Sequence, residues 1–339
     1  MTSQFDKSPR SKAPVFVVGS PRSGNNFLYH TLLSSGGFAM YRASAQVFNM
    51  MVPKFGDPGV ARNRKQLLKA WLGSGYFERT GLDATAIERK LDANCRNGGD
   101  FLRIVMEEMC RVQHVDRWAT VSVEEILYLA EIKRTIPDAL VIHIIRDGRD
   151  VALSLARMGF IRPFPWDRNK GRLVAALYWK WIVQKGREYG RRLGSEYMEL
   201  HYEDLVESPR KTLSKIAEFI EHDLDYDRIQ RSGVGTVSEP NTSFQPGAQR
   251  PSFNPVGRWR DGYSKEELAT VERCIGPLLK ELGYPLETVS SGSPSGSFSL
   301  MRILYDSFFE LKLQLKSKTP LGRVLVSVDT MKNPELFMR

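Results

Sequence analysis

The sequence predicts a three-layer α/β/α fold with a mostly parallel central sheet. Val15–Val18 and residues 139–147 have the composition of buried strands, and residues 196–205 are predicted to form a third strand. Segments with helical periodicity alternate with these strands. Strands that alternate with helices join into a parallel sheet with helices on both faces. A Gly-rich turn directly follows the first strand, and sheets of this kind bind ligands at the carboxyl ends of their strands.

Composition indicates a soluble globular protein that favours anionic ligands or surfaces. The 339 residues are 42% hydrophobic and 26% charged, and the formal net charge is +10. Charge alone does not choose among a nucleotide, a nucleic acid and a membrane surface. The three cysteines are far apart in sequence, so neither a disulfide framework nor a zinc site is expected. They are Cys95, Cys110 and Cys274.

Targeting signals are not evident in the sequence. Residues 1–13 are polar and have no apolar centre, so a signal peptide is not expected. No run of about eighteen apolar residues occurs, so we expect no transmembrane segment and a cytoplasmic location. No recognised nucleic-acid-binding module is present, so nucleic acid is not an expected partner.

Helical periodicity and capping signals place the connecting elements. Residues 26–34 are predicted to form the helix after the first strand and to end at Ser35-Gly36-Gly37. Asp100 and Asp150 are predicted to cap the helices that begin at these positions, and residues 160–170 are predicted to be an irregular loop. The other predicted helices cover residues 65–72, 84–92, 124–135, 172–190, 209–220, 264–282 and 300–316.

These elements divide the chain into three parts. Residues 1–13 are predicted to be a flexible N-terminus, and residues 14–288 a single nucleotide-binding domain. Residues 289–339 begin with the linker SSGSPSGS and continue into a basic amphipathic helix and a tail. Of the surfaces such a helix could contact, which are the domain, a second chain or a membrane, we expect the domain.

The Gly-rich turn reads GSPRSGNN and has the outline of a phosphate-binding loop. Gly19 and Gly24 let the backbone curl so that N–H groups point inward at a helix N-terminus, and Arg22 adds a fixed cation. A Walker A loop would carry Lys at position 25 and Ser or Thr at position 26, so this P-loop-like turn is poorly equipped for a β,γ-phosphate with Mg²⁺. The neutral donors are the side chains of Ser23, Asn25 and Asn26. The alternative is a plain turn between strand and helix.

A second cluster follows the second strand. Arg146 lies at the carboxyl end of that strand and Ser154 on the next helix, so the two could hold a second phosphate. Asp147 could instead be a Walker B aspartate, which is the kinase interpretation. For Arg149 and Asp150 we expect ion pairing within the turn.

A third cluster lies around the long Gly- and Pro-rich segment of residues 233–257. Basic, hydroxyl and aromatic residues in such a segment suit closure over an anionic nucleotide, although a solvated surface loop would have the same composition. The residues concerned are Asn241, Thr242, Ser243, Arg250, Arg258, Trp259 and Arg260.

The three clusters, in this order, resemble those of the sulfotransferases that use 3′-phosphoadenosine 5′-phosphosulfate (PAPS). SPRSGNNFL is similar to the family's 5′-phosphosulfate loop and RDGRDVALS to its 3′-phosphate motif. YEDLVESPRKTLSKIAEFI and VGRW are similar to its later landmarks, and the resemblance runs from about Val15 to Tyr284. The nearest likeness is to bacterial members distantly related to protein-tyrosine sulfotransferases.

The resemblance implies PAPS as co-substrate, PAP as product, no metal, and a role for each matching residue. Arg22 is the implied catalytic cation that stabilises developing charge on the 5′-phosphate. Arg146 and Ser154 would bind the 3′-phosphate, Tyr202 the nucleotide near its adenine, and Arg258 would complete the clamp with Thr242 or Ser243. The implied 5′-phosphosulfate ligands are Pro21, Arg22, Ser23, Gly24, Asn25 and Asn26.

A general base for the acceptor is not evident in the sequence. In related proteins we expect an acid in the segment that reads YRASAQVF here, and a Thr-Pro element in the segment that reads RWATVSVEE, and neither is present. A phenolic acceptor would need less help, because its pKa is near 10. The candidate bases are Glu124, Glu125, Asp116, Glu78 and His114.

The sequence therefore predicts sulfuryl transfer from PAPS to an acceptor hydroxyl or amine by metal-independent, in-line attack. The acceptor would be a small molecule, a glycan or a protein, and a homodimer remains open. Two alternatives stay: a catalytically silent family member that binds PAP or PAPS, and a P-loop kinase that binds ATP with Mg²⁺.

Overall fold

The central sheet of the computed structural model is parallel and has four strands, in the order β2-β1-β3-β4. The structure describes residues 9–159, 161, 163–232, 234, 254–288 and 296–332. The strands are β1 (Val15–Val18), β2 (Ala119–Val121), β3 (Leu140–Ile145) and β4 (Tyr197–His201). Val17 lies opposite Val121 of β2 and Ile142 of β3, so the carboxyl ends of all these strands meet at one edge.

Helices cover both faces of the sheet, which confirms the predicted three-layer fold. Because successive strand residues point to opposite faces, Phe16 and Val141 belong to one apolar core and Val17 and Ile142 to the other. In the first half of the chain the helices are α1 (Asn25–Ser34), α2 (Val52–Phe55), α3 (Ala61–Leu72), α4 (Gly75–Glu78), α5 (Ala84–Asn94), α6 (Gly98–Gln113), α7 (Leu129–Thr135) and α8 (Gly148–Met158). In the second half they are α9 (Gly171–Arg191), α10 (Tyr202–Glu207), α11 (Pro209–Ile220), α12 (Tyr226–Arg231), α13 (Trp259–Gly262), α14 (Lys265–Glu281), α15 (Gly296–Lys318), α16 (Gly322–Leu325) and α17 (Asp329–Lys332).

Several predicted helix boundaries were wrong for local reasons. Asn97, not Asp100, caps α6, because its side chain accepts the Asp100 N–H. Asp147, not Asp150, caps α8, since its carboxylate accepts the Arg149 N–H and the helix starts three residues earlier than expected. The predicted helix over 124–135 is a 3₁₀ helix, Val123–Tyr128, followed by α7. The predicted loop over 160–170 contains the 3₁₀ helix Pro165–Asn169.

The C-terminal helix α15 packs on the domain, as predicted. Asp306 forms an ion pair with Lys180 of α9 at 2.7 Å, and Phe309 packs edge-on against Tyr178 at 5.2 Å between ring centres. Lys316 lies 3.4 Å from Glu124, which ties the end of the helix to the segment after β2. None of the described helices has the length and apolarity needed to cross a lipid bilayer.

Candidate anion-binding site

The site lies at the carboxyl edge of the sheet, around the loop between β1 and α1. Two positions of this loop require glycine, because neighbouring atoms lie too close to leave space for a Cβ. A Cβ on Gly19 would overlap the Ile144 carbonyl, and a Cβ on Gly24, whose φ is +95°, would overlap the Tyr202 ring. The first backbone bond of α1 runs from the Leu28 N–H to the Gly24 carbonyl, so the N–H groups of residues 24–27 are not used by the helix. These donors suit an anion at a helix N-terminus.

Arg22 and Arg146 meet beside this loop. The Arg22 Nε donates to Ser154 Oγ at 2.9 Å, and an Arg146 guanidinium nitrogen donates to the Arg22 carbonyl at 3.2 Å. Arg146 also lies over the Tyr202 ring, with its guanidinium carbon 4.8 Å from the ring centre. The structure thus brings together four residues that the sequence predicted as ligands, and Arg22 connects the two predicted phosphate positions.

The other loop residues differ in what they offer a ligand. The Ser23 hydroxyl is buried and has no hydrogen-bond partner among the described residues, so it remains available to an anion. The Asn25 amide instead donates to the Ser20 carbonyl at 2.8 Å, which holds the loop in shape. Asn26 is exposed and Pro21 is half-buried.

Three hydrogen bonds to its backbone attach the segment that carries Arg258 to the turn after β3. The Asp150 carboxylate accepts the N–H groups of Gly257 at 2.9 Å and Trp259 at 2.8 Å. Arg146 donates to the Pro255 carbonyl at 2.5 Å. Asp150 is therefore a positioning residue, besides lying 3.8 Å from Arg146 in the ion pair expected within the turn. Thr242 and Ser243 lie outside the described residues.

Three guanidinium groups converge here, because the charges of Arg146 and Arg258 act on Arg22 and the charge of Arg146 also acts on Arg258. Burial, together with the charges of Arg146 and Arg258, lowers the pKa of Arg22. Burial, together with the charges of Arg157 and Arg146, lowers the pKa of Arg258. A polyanion bound between these groups would relieve the repulsion.

Asp147 and Arg149 form a structural ion pair rather than a ligand set. Arg149 is fully buried and donates to Asp147 at 2.7 Å and to Glu272 of α14 at 2.6 Å. Its guanidinium carbon lies 3.6 Å from the centre of the Trp259 ring. Since the Asp147 carboxylate is occupied by Arg149 and the helix cap, it is poorly placed as a Walker B aspartate.

Sequence reasoning missed Glu203, which supports the turn after β3. One oxygen accepts the Asp147 N–H at 2.9 Å and the other accepts the Tyr284 hydroxyl at 2.9 Å. Burial raises the pKa of Glu203 to about 7. The sequence did carry a signal for this role: Glu203 directly follows Tyr202, and β4 ends at His201, at the same edge of the sheet as β1 and β3.

Three of the candidate bases lie at surface positions. Asp116 is 85% exposed, and both Asp116 and His114 precede β2, so they lie at the amino edge of the sheet, opposite the loop. Glu78 is exposed at the end of α4.

The two remaining candidates follow β2 at the edge that carries the loop. Glu124 is occupied: it accepts the Tyr178 hydroxyl at 2.7 Å and lies 3.4 Å from Lys316. Burial raises its pKa, but the charge of Lys316 and the Tyr178 hydrogen bond outweigh this and the net shift is downward.

Glu125 is fully buried and only half satisfied. One oxygen accepts the Phe48 N–H at 3.1 Å, at the start of the π-helix Val47–Met51, and the other has no hydrogen-bond partner among the described residues. Burial raises the pKa of Glu125 to about 7. Other buried polar atoms on these two segments also lack a described partner, namely Thr120 Oγ1, Ser122 Oγ and Asn49 Oδ1.

Substitution of Gly24 tests whether the loop needs its glycine for conformation or for space. We expect Gly24→Ala to destabilise the fold by about 2–4 kcal/mol, from a left-handed backbone plus overlap with Tyr202, and to abolish anion binding. Gly36→Ala is the matched control, since Gly36 has φ +80° and no atom within 4 Å of an added Cβ. Thermal unfolding of both variants measures the difference, and equal losses would contradict the Tyr202 overlap.

Comparison with known sequences agrees with this architecture. A family model described as "Sulfotransferase family" matches residues 14–226. The mouse protein Sulfotransferase 1B1 is 28% identical over 120 residues, which cover 33% of this chain and 38% of the mouse protein. The aligned part is thus well under half of that relative's length.

Solved structures give a similar fold over most of the chain. The sulfotransferase domain of the olefin synthase from Synechococcus PCC 7002 aligns with a TM-score of 0.52 at 18% identity, covering 84% of this chain and 100% of that domain. The sulfotransferase domain from the curacin biosynthetic pathway aligns with a TM-score of 0.52 at 16% identity, covering 83% of this chain and 100% of that domain.

Proposed function

Because the chain belongs to the sulfotransferase family, we propose that it transfers the sulfuryl group of PAPS to a hydroxyl or amine of an acceptor. The observation that carries this proposal is the convergence of Arg22, Arg146 and Arg258 on a phosphate-type loop that has Asn25 where a Walker lysine would stand. Such a loop suits a single substituted phosphate better than a β,γ-phosphate pair with Mg²⁺.

The residues fit PAPS, which would supply the sulfuryl group and a 5′-phosphate leaving group. The N–H groups of residues 24–27 would hold the 5′-phosphate, together with the Ser23 hydroxyl, which none of the described residues engages. Arg22 would stabilise the charge that develops there, because a fixed cation needs no reorganisation during the reaction. Arg146, Ser154 and Arg258 would hold the 3′-phosphate, with Tyr202 beneath Arg146 on the adenine side.

For the general base we propose Glu125. Two backbone hydrogen bonds place Glu125 near the carboxyl end of β1, where the loop begins: the Glu125 N–H donates to the Ser122 carbonyl at 3.2 Å, and the Ser122 N–H donates to the Val17 carbonyl at 3.4 Å. One carboxylate oxygen of Glu125 has no hydrogen-bond partner among the described residues. A buried carboxylate with a raised pKa is suited to take a proton near neutral pH. Glu124 is less suited, since Tyr178 and Lys316 already occupy its oxygens.

A thermal-shift comparison tests the cofactor assignment. We expect PAP without metal to raise the melting temperature, and to do so more at low salt, because it neutralises the three arginines. ATP with Mg²⁺ should give a smaller shift. A larger shift with ATP and Mg²⁺ would favour the kinase alternative and overturn the assignment.

A further inference from the structure

Helix α15 is apolar on two opposite faces. Tyr305, Phe309 and Leu313 are buried against the domain. On the other side lies a set that we call the exposed strip, whose members fall within an arc of about 100° at 3.6 residues per turn. The strip consists of Leu300 (68% exposed), Ile303 (62%), Leu304 (44%) and Leu311 (57%). An apolar stripe on a helix normally packs against a partner, so we expect the exposed strip to have one as well.

Exposed apolar side chains are concentrated in this part of the molecule. Of the ten large hydrophobic residues that are exposed among the described residues, seven lie between positions 300 and 325. Besides the exposed strip, they are Leu321, Val324 and Leu325, on and just before α16. Such a concentration marks a contact surface, whereas single exposed residues do not.

Charged side chains of both signs lie on the two flanks of the exposed strip. The carboxylates of Asp306 and Glu310, on the flanks of α15, pair with Lys180 at 2.7 Å and Lys185 at 3.2 Å, both on α9. Lys312 and Lys318 are exposed on the same helix. The outward surface therefore combines aliphatic side chains with lysines, while its acids are neutralised from inside.

An exposed tryptophan lies next to this surface. Trp166 is 57% exposed and stacks on Phe164 at 4.8 Å between ring centres. Phe164 in turn packs edge-on against Phe308 of α15 at 5.1 Å. Tryptophan is enriched at the boundary between water and lipid, because its ring is both apolar and polar.

We propose that the exposed strip docks in the plane of an anionic lipid bilayer. The aliphatic side chains and Trp166 would enter the interface, and Lys312 and Lys318 would contact the lipid headgroups. A second copy of the chain, docked through the same surface, is the alternative that the experiment below separates from a bilayer. The surface is separate from the anion-binding loop, so this proposal goes beyond the proposed reaction.

Vesicle flotation of the full chain tests the proposal. We expect binding to vesicles of phosphatidylcholine mixed with phosphatidylglycerol, weaker binding as salt rises, and little binding to phosphatidylcholine alone. The double variant Leu304→Gln with Leu311→Gln, and separately Lys312→Glu with Lys318→Glu, should each reduce binding about tenfold or more. The matched control is Val112→Gln, because Val112 is also exposed (44%) but lies on α6.

Three results would overturn the proposal. The first is no binding to anionic vesicles, and the second is an equal loss of binding in the Val112→Gln control. The third is a dimer, seen by light scattering, that dissociates when Leu304 and Leu311 are replaced, since this would assign the exposed strip to a second copy. The substituted side chains are exposed, so we expect the melting temperatures of the variants to be unchanged. Measuring these temperatures shows that a loss of binding does not come from unfolding.

Discussion

Replacement of Arg146 by alanine should weaken PAP binding more than tenfold. Arg146 holds two separate backbone segments, through the Arg22 carbonyl at 3.2 Å and the Pro255 carbonyl at 2.5 Å, besides facing the proposed 3′-phosphate. Loss of a charge-assisted contact to phosphate costs about 2 kcal/mol or more. Isothermal titration of PAP into the wild type and the variant measures this loss directly.

Two further variants separate the roles of charge and fold. Arg146→Lys keeps the charge but cannot reach both carbonyls, so we expect an intermediate affinity. Arg134→Ala is the matched control, because Arg134 is 64% exposed on α7 and pairs with Glu131 at its surface. PAP affinity that is unchanged in Arg146→Ala, or reduced equally in Arg134→Ala, would contradict the assignment.

The second large effect is expected from Glu125→Gln, which should lower kcat by about 10²- to 10⁴-fold and leave PAP binding unchanged. The glutamine keeps an acceptor for the Phe48 N–H but cannot take a proton. Glu124→Gln is the matched control, with a small expected effect, since Glu124 is held by Tyr178 and Lys316. A larger loss in Glu124→Gln than in Glu125→Gln would assign the base to Glu124.

The raised pKa of Glu125 gives two pH dependences with opposite signs. A base must be deprotonated, so kcat/KM should rise with pH and level off above about 7. Between its ordinary value of 4.5 and about 7, the folded chain keeps a proton that the unfolded chain loses, so stability falls as pH rises through this window. Glu203 contributes in the same window, and Glu125→Gln should remove only part of this loss.

Much of the loop could be predicted from the sequence, because its constraints are local. Gly19 and Gly24 follow a strand and precede a helix, and both turned out to face atoms that leave no space for a Cβ. Arg146 and Ser154 were predicted from their places at a strand end and on the next helix, and in the structure both contact Arg22, a contact that the sequence did not predict. The ligand roles themselves stay predictions.

Other parts depend on contacts between distant segments and could not be predicted. Strand β2 has only three residues, Ala119–Val121, and exists because β1 offers it a free edge. Asp150 was expected to cap a helix, yet it holds Gly257 and Trp259, more than a hundred residues away. Glu124 and Glu125 are adjacent in sequence, and only their packing distinguishes the occupied carboxylate from the half-free one.

The central claim, sulfuryl transfer, is tested most directly by measuring PAP release and product formation from PAPS. The assay would offer the wild type and Glu125→Gln a panel of phenols, alcohols, sugars and amines, without added metal. We predict that the wild type sulfates at least one acceptor and that Glu125→Gln sulfates it at least about a hundredfold more slowly. Tight PAP binding by the wild type with no transfer to any acceptor would contradict the claim and identify a silent nucleotide-binding member of the family.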